Sequence, residues 1–203
     1  MNKGAIRTHF KALLNRSDIT DALADTFVDQ GIARIQRTLR VPAMEKVQPY
    51  TISSQVTKIV VPADLLEIID IYHNNTSLTR LPLHDMLEMK ATGQAGTAKF
   101  FTQQSGDVIL FPEPTSGTMH ISYYAQFAEM SADSAENSLA AFGSDIIIYA
   151  ALTYASDYYL DERASVFEQK FVGFMTETQE QANEAAQSGS VQVMRPSATY
   201  TDY

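Results

Sequence analysis

The sequence predicts an α+β fold. Helices from the two ends of the chain form a bundle, an antiparallel β-sheet is inserted between them, and an extended arm follows at the C-terminus. Three observations carry this. Residues 5–40 and 143–186 place apolar side chains at helical spacing. Residues 50–124 change to short β-rich runs separated by Pro, Gly, Asn and Ser. After Gln187 comes Ser188-Gly189-Ser190, a composition suited to a joint. The chain thus divides into N-terminal helices (1–49), a β insertion (50–129), a long C-terminal helix completing the bundle (130–187) and a docking arm (188–203).

Taken in order, Ala5 to Leu14 sets Ile6, Phe10, Leu13 and Leu14 on one helical face. Asn15-Arg16-Ser17 breaks the run, and Ser17 or Asp18 can cap the next helix. That helix carries Ile19, Leu23, Phe27, Ile32, Ile35 and Leu39, and Pro42 stops it. Tyr50–Ser53, Val56–Val61 and Leu66–Tyr72 are strand runs, with a turn at Asn74–Ser77 and a return strand over Leu78–Leu81. Pro82–Met89 suits a short helix. Lys99–Thr102, Val108–Phe111 and Thr118–Tyr124 then form a meander through turns at Ser105–Asp107 and Pro112–Gly117. Met130–Leu139 reads as a polar linker.

Gly143 to Ala186 reads as one helix, opened by Ser144 or Asp145, with a bend admissible near Asp161–Arg163 or at Gly173. Unbroken, it would be roughly 65 Å long. Its apolar face exceeds what so small a chain can cover alone, which points to burial in a multimer. The arm Val191-Gln192-Val193-Met194-Arg195-Pro196 alternates as an added strand would, or it is a frayed terminus.

Composition narrows the function. No cysteine is present among 203 residues, so disulfides, thiolate metal sites and thiol nucleophiles are excluded. The absence also fits assembly in a reducing cytoplasm. No apolar run approaches the ~20 residues that span a bilayer, so no membrane partner is expected. The net charge of −9 is unevenly spread: residues 1–50 carry +3, 51–135 carry −5 and 136–203 carry −7. No Lys/Arg cluster of the kind that grips duplex DNA occurs. The acidic balance either keeps the protein soluble or presents a surface that DNA passes without adhering.

No catalytic constellation emerges. His9, His73, His84 and His120 lie far apart and outside metal-ligand spacing. There is no G-x-S-x-G elbow, and Gly93-Gln94-Ala95-Gly96 lacks the Lys or third Gly of a nucleotide loop. Asp64, Asp70 and Asp85 read as strand ends and caps. The chain is therefore expected to be no enzyme and to need no cofactor or metal. Arg34, Arg37 and Arg40 punctuate the second helix, either as a solvated face or as contacts to an acidic neighbour.

Several segments together carry a resemblance. Ile59–Ile68, with Pro62-Ala63-Asp64 between two strands, and Gly106–Pro114, a strand running into Pro-Glu-Pro, resemble the head–tail adaptor (connector) proteins of tailed bacteriophages. Ile121–Tyr124 is similar to the aromatic strand that follows there. Ile148–Leu152, Ala155, Tyr158–Asp161, Ala164 and Phe167 are similar to the family's closing helix. Phe142-Gly143-Ser144 stands where many such sequences have a proline.

The resemblance covers residues 50–180. It implies a structural protein of the virion, assembled in the host cytoplasm as a homo-oligomeric ring, usually of twelve copies. Such a ring binds the portal, carries tail or nozzle proteins and continues the channel through which DNA passes without sequence-specific contact. The residues expected at interfaces with the portal or a neighbouring subunit are Arg34, Arg37, Arg40, Val191, Val193, Met194, Arg195 and Tyr200. Competing readings are a virion-associated cell-wall hydrolase, a discarded assembly scaffold and a tail-completion or tail-tube protein.

Overall fold

The computed structural model of the chain describes residues 1–187. Its helices are α1 (Lys3–Leu14), α2 (Asp21–Thr38), α3 (Leu83–Lys90), α4 (Ser138–Phe142), α5 (Ser144–Tyr159) and α6 (Ala164–Gln187). Its strands are β1 (Glu45–Ile52), β2 (Lys58–Val60), β3 (Leu65–His73), β4 (Thr76–Ser77), β5 (Thr79–Arg80), β6 (Phe100–Gln104), β7 (Asp107–Phe111) and β8 (Gly117–Ala125). The fold is α+β, with one apolar core among the terminal helices and a second between two sheets.

Helix α1 starts where the Asn2 side chain accepts the Ala5 N–H, and it ends at Asn15 in the left-handed conformation. Helix α2 opens at Thr20, whose hydroxyl accepts the Leu23 N–H, rather than at Ser17 or Asp18. The reason is local. Arg16 holds Asp18 through two hydrogen bonds, and Ile19, just before the cap, is drawn into the core.

The two helices run antiparallel and are laced by charge. Lys3 pairs with Asp29, Arg7 with Asp25 and Lys11 with Asp21. Cations spaced by four on α1 meet carboxylates spaced by four on α2, in reverse order. Arg7 also reaches Asp133 at 2.6 Å. The excess of residues 1–50 is offset by carboxylates from beyond it, Asp133 on Arg7, Glu168 on Arg34, Glu67 on Arg40 and Asp64 on Lys46, so it does not form an open cationic surface.

Helix α5 lies at the centre of the bundle. Ile146, Ile147, Ile148, Ala150, Ala151, Leu152 and Ala155 are all buried, a distribution that confines fully exposed positions to the helix ends, at Asp145, Asp157 and Tyr158. Helix α2 crosses it at Gly31, where an added Cβ would stand 3.0 Å from the Ala151 nitrogen. A methyl group there would be tighter than ordinary contact, and the α5 backbone would have to give by a few tenths of an ångström.

The expected single helix over 143–186 is in fact a hairpin. Leu160 adopts φ 52°, ψ 45°, the Leu160 and Asp161 N–H groups turn back onto the carbonyls of Asp157 and Ser156, and α6 returns along α5. Tyr149 of α5 consequently meets both Phe167 and Phe174 of α6. The apolar face read as surplus is covered within the subunit. Residues 130–139 are also more than a linker. Ala135 and Asp133 carbonyls accept the Lys3 and Gly4 N–H groups, Met130 is buried, and Asn137 caps α4.

The β region is a two-sheet sandwich, ordered β1-β8-β3-β4 and β2-β7-β6-β5, antiparallel except for the two-residue β5–β6 pairing. The expected meander holds for β6 and β7, but β8 leaves it and inserts between β1 and β3. There its inward residues Met119, Ile121 and Tyr123 join Phe101, Val108 and Leu110 of the opposite sheet in one core. A continued meander would have left that face open to water. Pro49 is admitted because β1 is an edge strand. Buried His73 accepts the Ala98 N–H at Nδ1, so its Nε2–H donates to the Ser116 carbonyl, and the ring ties two loops together.

Arg7→Ala is expected to lower stability by about 2 kcal/mol, because it strands Asp25, one of whose oxygens already lacks a partner. Urea unfolding of the two proteins measures this.

Candidate functional site

Among the described residues no group of three or more His, Asp or Glu could hold a metal ion. His73 is structural, and His84 pairs with Glu88 on an exposed helix. The carboxylates with displaced acidities (Asp18, Asp21, Asp64, Glu113, Asp161 and Glu168) are all displaced downward, each chiefly by a hydrogen bond from a basic or amide side chain. Asp64 also accepts from Tyr123, whose phenol is pushed up to about 12, first by burial and then by that bond. These are ion pairs and caps that hold the fold.

Of the three arginines expected on the second helix, Arg34 and Arg37 lie on α2 and Arg40 follows its C-terminal cap, Leu39, and the three have different surroundings. Arg34 makes a two-pronged bond to Glu168 of α6, at 2.9 and 2.5 Å, and lies 4.3 Å from the centre of the Phe171 ring. The guanidinium holds the Glu168 carboxyl below its usual range. Arg40 bonds to Glu67 of β3, and its backbone N–H and carbonyl are both taken by the Gln179 amide. Arg34 thus fastens α6 to α2, and Arg40 fastens the bundle to the sandwich. Arg37 is exposed, with a 3.3 Å bond to the Tyr154 hydroxyl and no carboxylate partner among the described residues. Sequence spacing grouped the three because each follows the last by three residues; it could not show which were already occupied. The other expected interface residues, Val191, Val193, Met194, Arg195 and Tyr200, lie outside the described residues.

Arg34 and Arg37 edge a groove of about 640 Å³ between α2 and α6, floored by Phe171, Val172, Met175 and Gln179. Val172 is 49% exposed there. A second groove, about 430 Å³, is acidic: Asp145, Glu177, Glu180 and Glu184 line it beside the exposed Phe142.

At the opposite end of α6, the α5–α6 turn projects Tyr158, 62% exposed, and Leu160, 89% exposed. Sequence reading missed this knob. Its signal was the polar run Asp161-Glu162-Arg163, which interrupts the apolar spacing, with Asp161 as a capping residue. Asp161 accepts from both the backbone and the guanidinium of Arg163, which hold its carboxyl at about 2, the side-chain bond contributing most. Arg163 in turn donates to the Leu13 and Leu14 carbonyls and closes the end of α1.

Two outcomes are expected at this turn. Leu160→Asn should stabilise the isolated subunit by about 1 kcal/mol in urea unfolding, since asparagine tolerates the left-handed conformation that leucine resists. Asp161→Asn should destabilise it at pH 7. Asp161 takes up a proton near 3.8 when unfolded but near 2 when folded. Its contribution is therefore complete above pH 4 and lost as the pH falls toward 2, so wild type and variant should converge in acid.

The profile of one protein family, described as SU10 adaptor protein, matches residues 1–195. No curated protein matches the chain. The match takes in both terminal helical regions and the sandwich between them, not one isolated motif. On that span the chain belongs to the SU10 adaptor protein family, a family of phage head–tail adaptors.

Proposed function

We propose that the chain forms a ring, of twelve copies, that joins the portal of the filled capsid to the tail and continues the channel for DNA. The observation that carries this is the family match over residues 1–195. The surface chemistry supports it. A ring needs two different complementary faces on each subunit, and the apolar groove and the projecting turn are two such faces. The acidic run on α6 (Glu177, Glu180, Glu184), with Asp145 beside it, suits a wall past which phosphates slide rather than bind.

Arg37, Val191, Val193, Met194, Arg195 and Tyr200 remain in this proposal as contacts to the portal or a neighbouring subunit. Arg34 joins them through the groove rim it edges, while Arg40, also expected there, is taken up by Glu67 within the subunit. A cell-wall hydrolase would need a carboxyl group kept protonated in a cleft, and the displaced carboxylates here move the opposite way.

Electron microscopy of the chain mixed with its portal tests the reading. The full chain should add a ring beneath the portal. The chain lacking Ser190–Tyr203 should melt at an unchanged temperature yet bind at least about tenfold more weakly, as loss of a strand-like arm would produce. No added ring, or full-strength binding by the shortened chain, would reject the ring or the arm respectively.

A further inference from the structure

We infer that neighbouring subunits in the ring engage knob into groove: the α5–α6 turn of one copy seats between α2 and α6 of the next. Leu160 and Tyr158 enter over Phe171, Val172 and Met175, and Asp157 and Glu162 face Arg37. This contact rests on the ring proposed above.

The first support is a residue placed against its own preference. Helix α5 ends at a left-handed position that favours glycine or asparagine. Helix α1 ends in the same conformation and uses Asn15. At the end of α5 the residue is leucine, 89% exposed, so its side chain does nothing for the subunit that carries it. With Tyr158 it makes an apolar tip on a strained backbone, a combination that fits a contact surface.

The second support is the matching groove. It is predominantly apolar, sits farther along α6 and is open to solvent. Tip and groove lie at different places along α6, on two distinct surfaces of the subunit, so joining them repeats one operation from copy to copy, as a ring requires.

The third support is charge. At the tip, Arg16 and Arg163 are neutralised by Asp18 and Asp161, whereas Asp157 and Glu162 are exposed without cationic partners among the described residues. At the groove, Arg34 is neutralised by Glu168 and Arg37 is not. Glu180 lines the far end of the groove. An acidic tip therefore meets a groove whose unpaired arginine is Arg37. Tip against tip would set Asp157 and Glu162 against their own kind, which disfavours a two-fold contact.

The chain has no cysteine, so introduced thiols report cleanly. Phage particles assembled with the double variant L160C/V172C, oxidised and run without reductant, should show a ladder of covalent multimers. Either single variant alone should stop at monomer or dimer. A bond between residues 160 and 172 of one chain would leave a monomer, so a ladder beyond dimer requires residue 172 to bond residue 160 of another copy. The pair Y158C/T176C repeats the test at adjacent surface positions. A ring seen by microscopy with no ladder from either pair overturns this contact and leaves the ring reading standing. Bonding of V172C to V193C in place of L160C overturns it too, since the chain's own C-terminal segment then fills the groove. Absence of the chain from reduced, washed particles overturns the adaptor reading and this contact together.

Discussion

Helix α5 has no face fit for water. Ile146, Ile147 and Ile148 point in three directions around the helix, and alanines fill the remaining inner positions. A helix of this kind must be enclosed on every side, and the rest of the bundle follows from that. Helix α2 comes close enough at Gly31 to touch backbone. Helix α6 doubles back to bring Phe167, Phe171 and Phe174 onto it. Helix α1 lies on the remaining side, with Ile6, Phe10 and Leu14 in the same core. The chain's first and last thirds are thereby bound into one body, and the β region between them is held at the end of α2 by Arg40 and Glu67.

Electrostatics then divides the surface. Most basic side chains of the helical body are spent inside the subunit: Lys3, Arg7 and Lys11 on the aspartates of α2, Arg34 on Glu168, Arg163 on Asp161. What is left outward is acidic, with Arg37 as an exception beside an apolar groove. An acidic exterior with few apolar openings fits an adaptor of the family to which the chain belongs.

Reading the residues reached the helical ends, the β middle and most turns. These depend on neighbours in sequence: apolar spacing, Pro42 after α2, the Ser105-Gly106 turn between β6 and β7. It went wrong where distant parts compete. The chain turns at Leu160 without glycine or proline, because stacking α6 on α5 buries three phenylalanines and outweighs one strained residue. The sheet assignment of β8 was equally hidden, since an alternating strand carries the same pattern whichever sheet receives it. Of the candidate site, Arg34, Arg37 and Arg40 were visible as a series. Their separation into two structural ties and one open cation depends on Glu168, Glu67 and Gln179, residues 27 to 139 positions away.

Periodicity and composition were thus sufficient for the fold class, and the order of ordinary segments was sufficient to suggest the family. Hydrophobic period is a local property, readable residue by residue. Whether an apolar face is covered by the chain itself or left for another copy is not local. It depends on how far α6 folds back and which charges find partners on the way. The groove, the projecting Leu160 and the unpaired Arg37 exist only once that packing is complete.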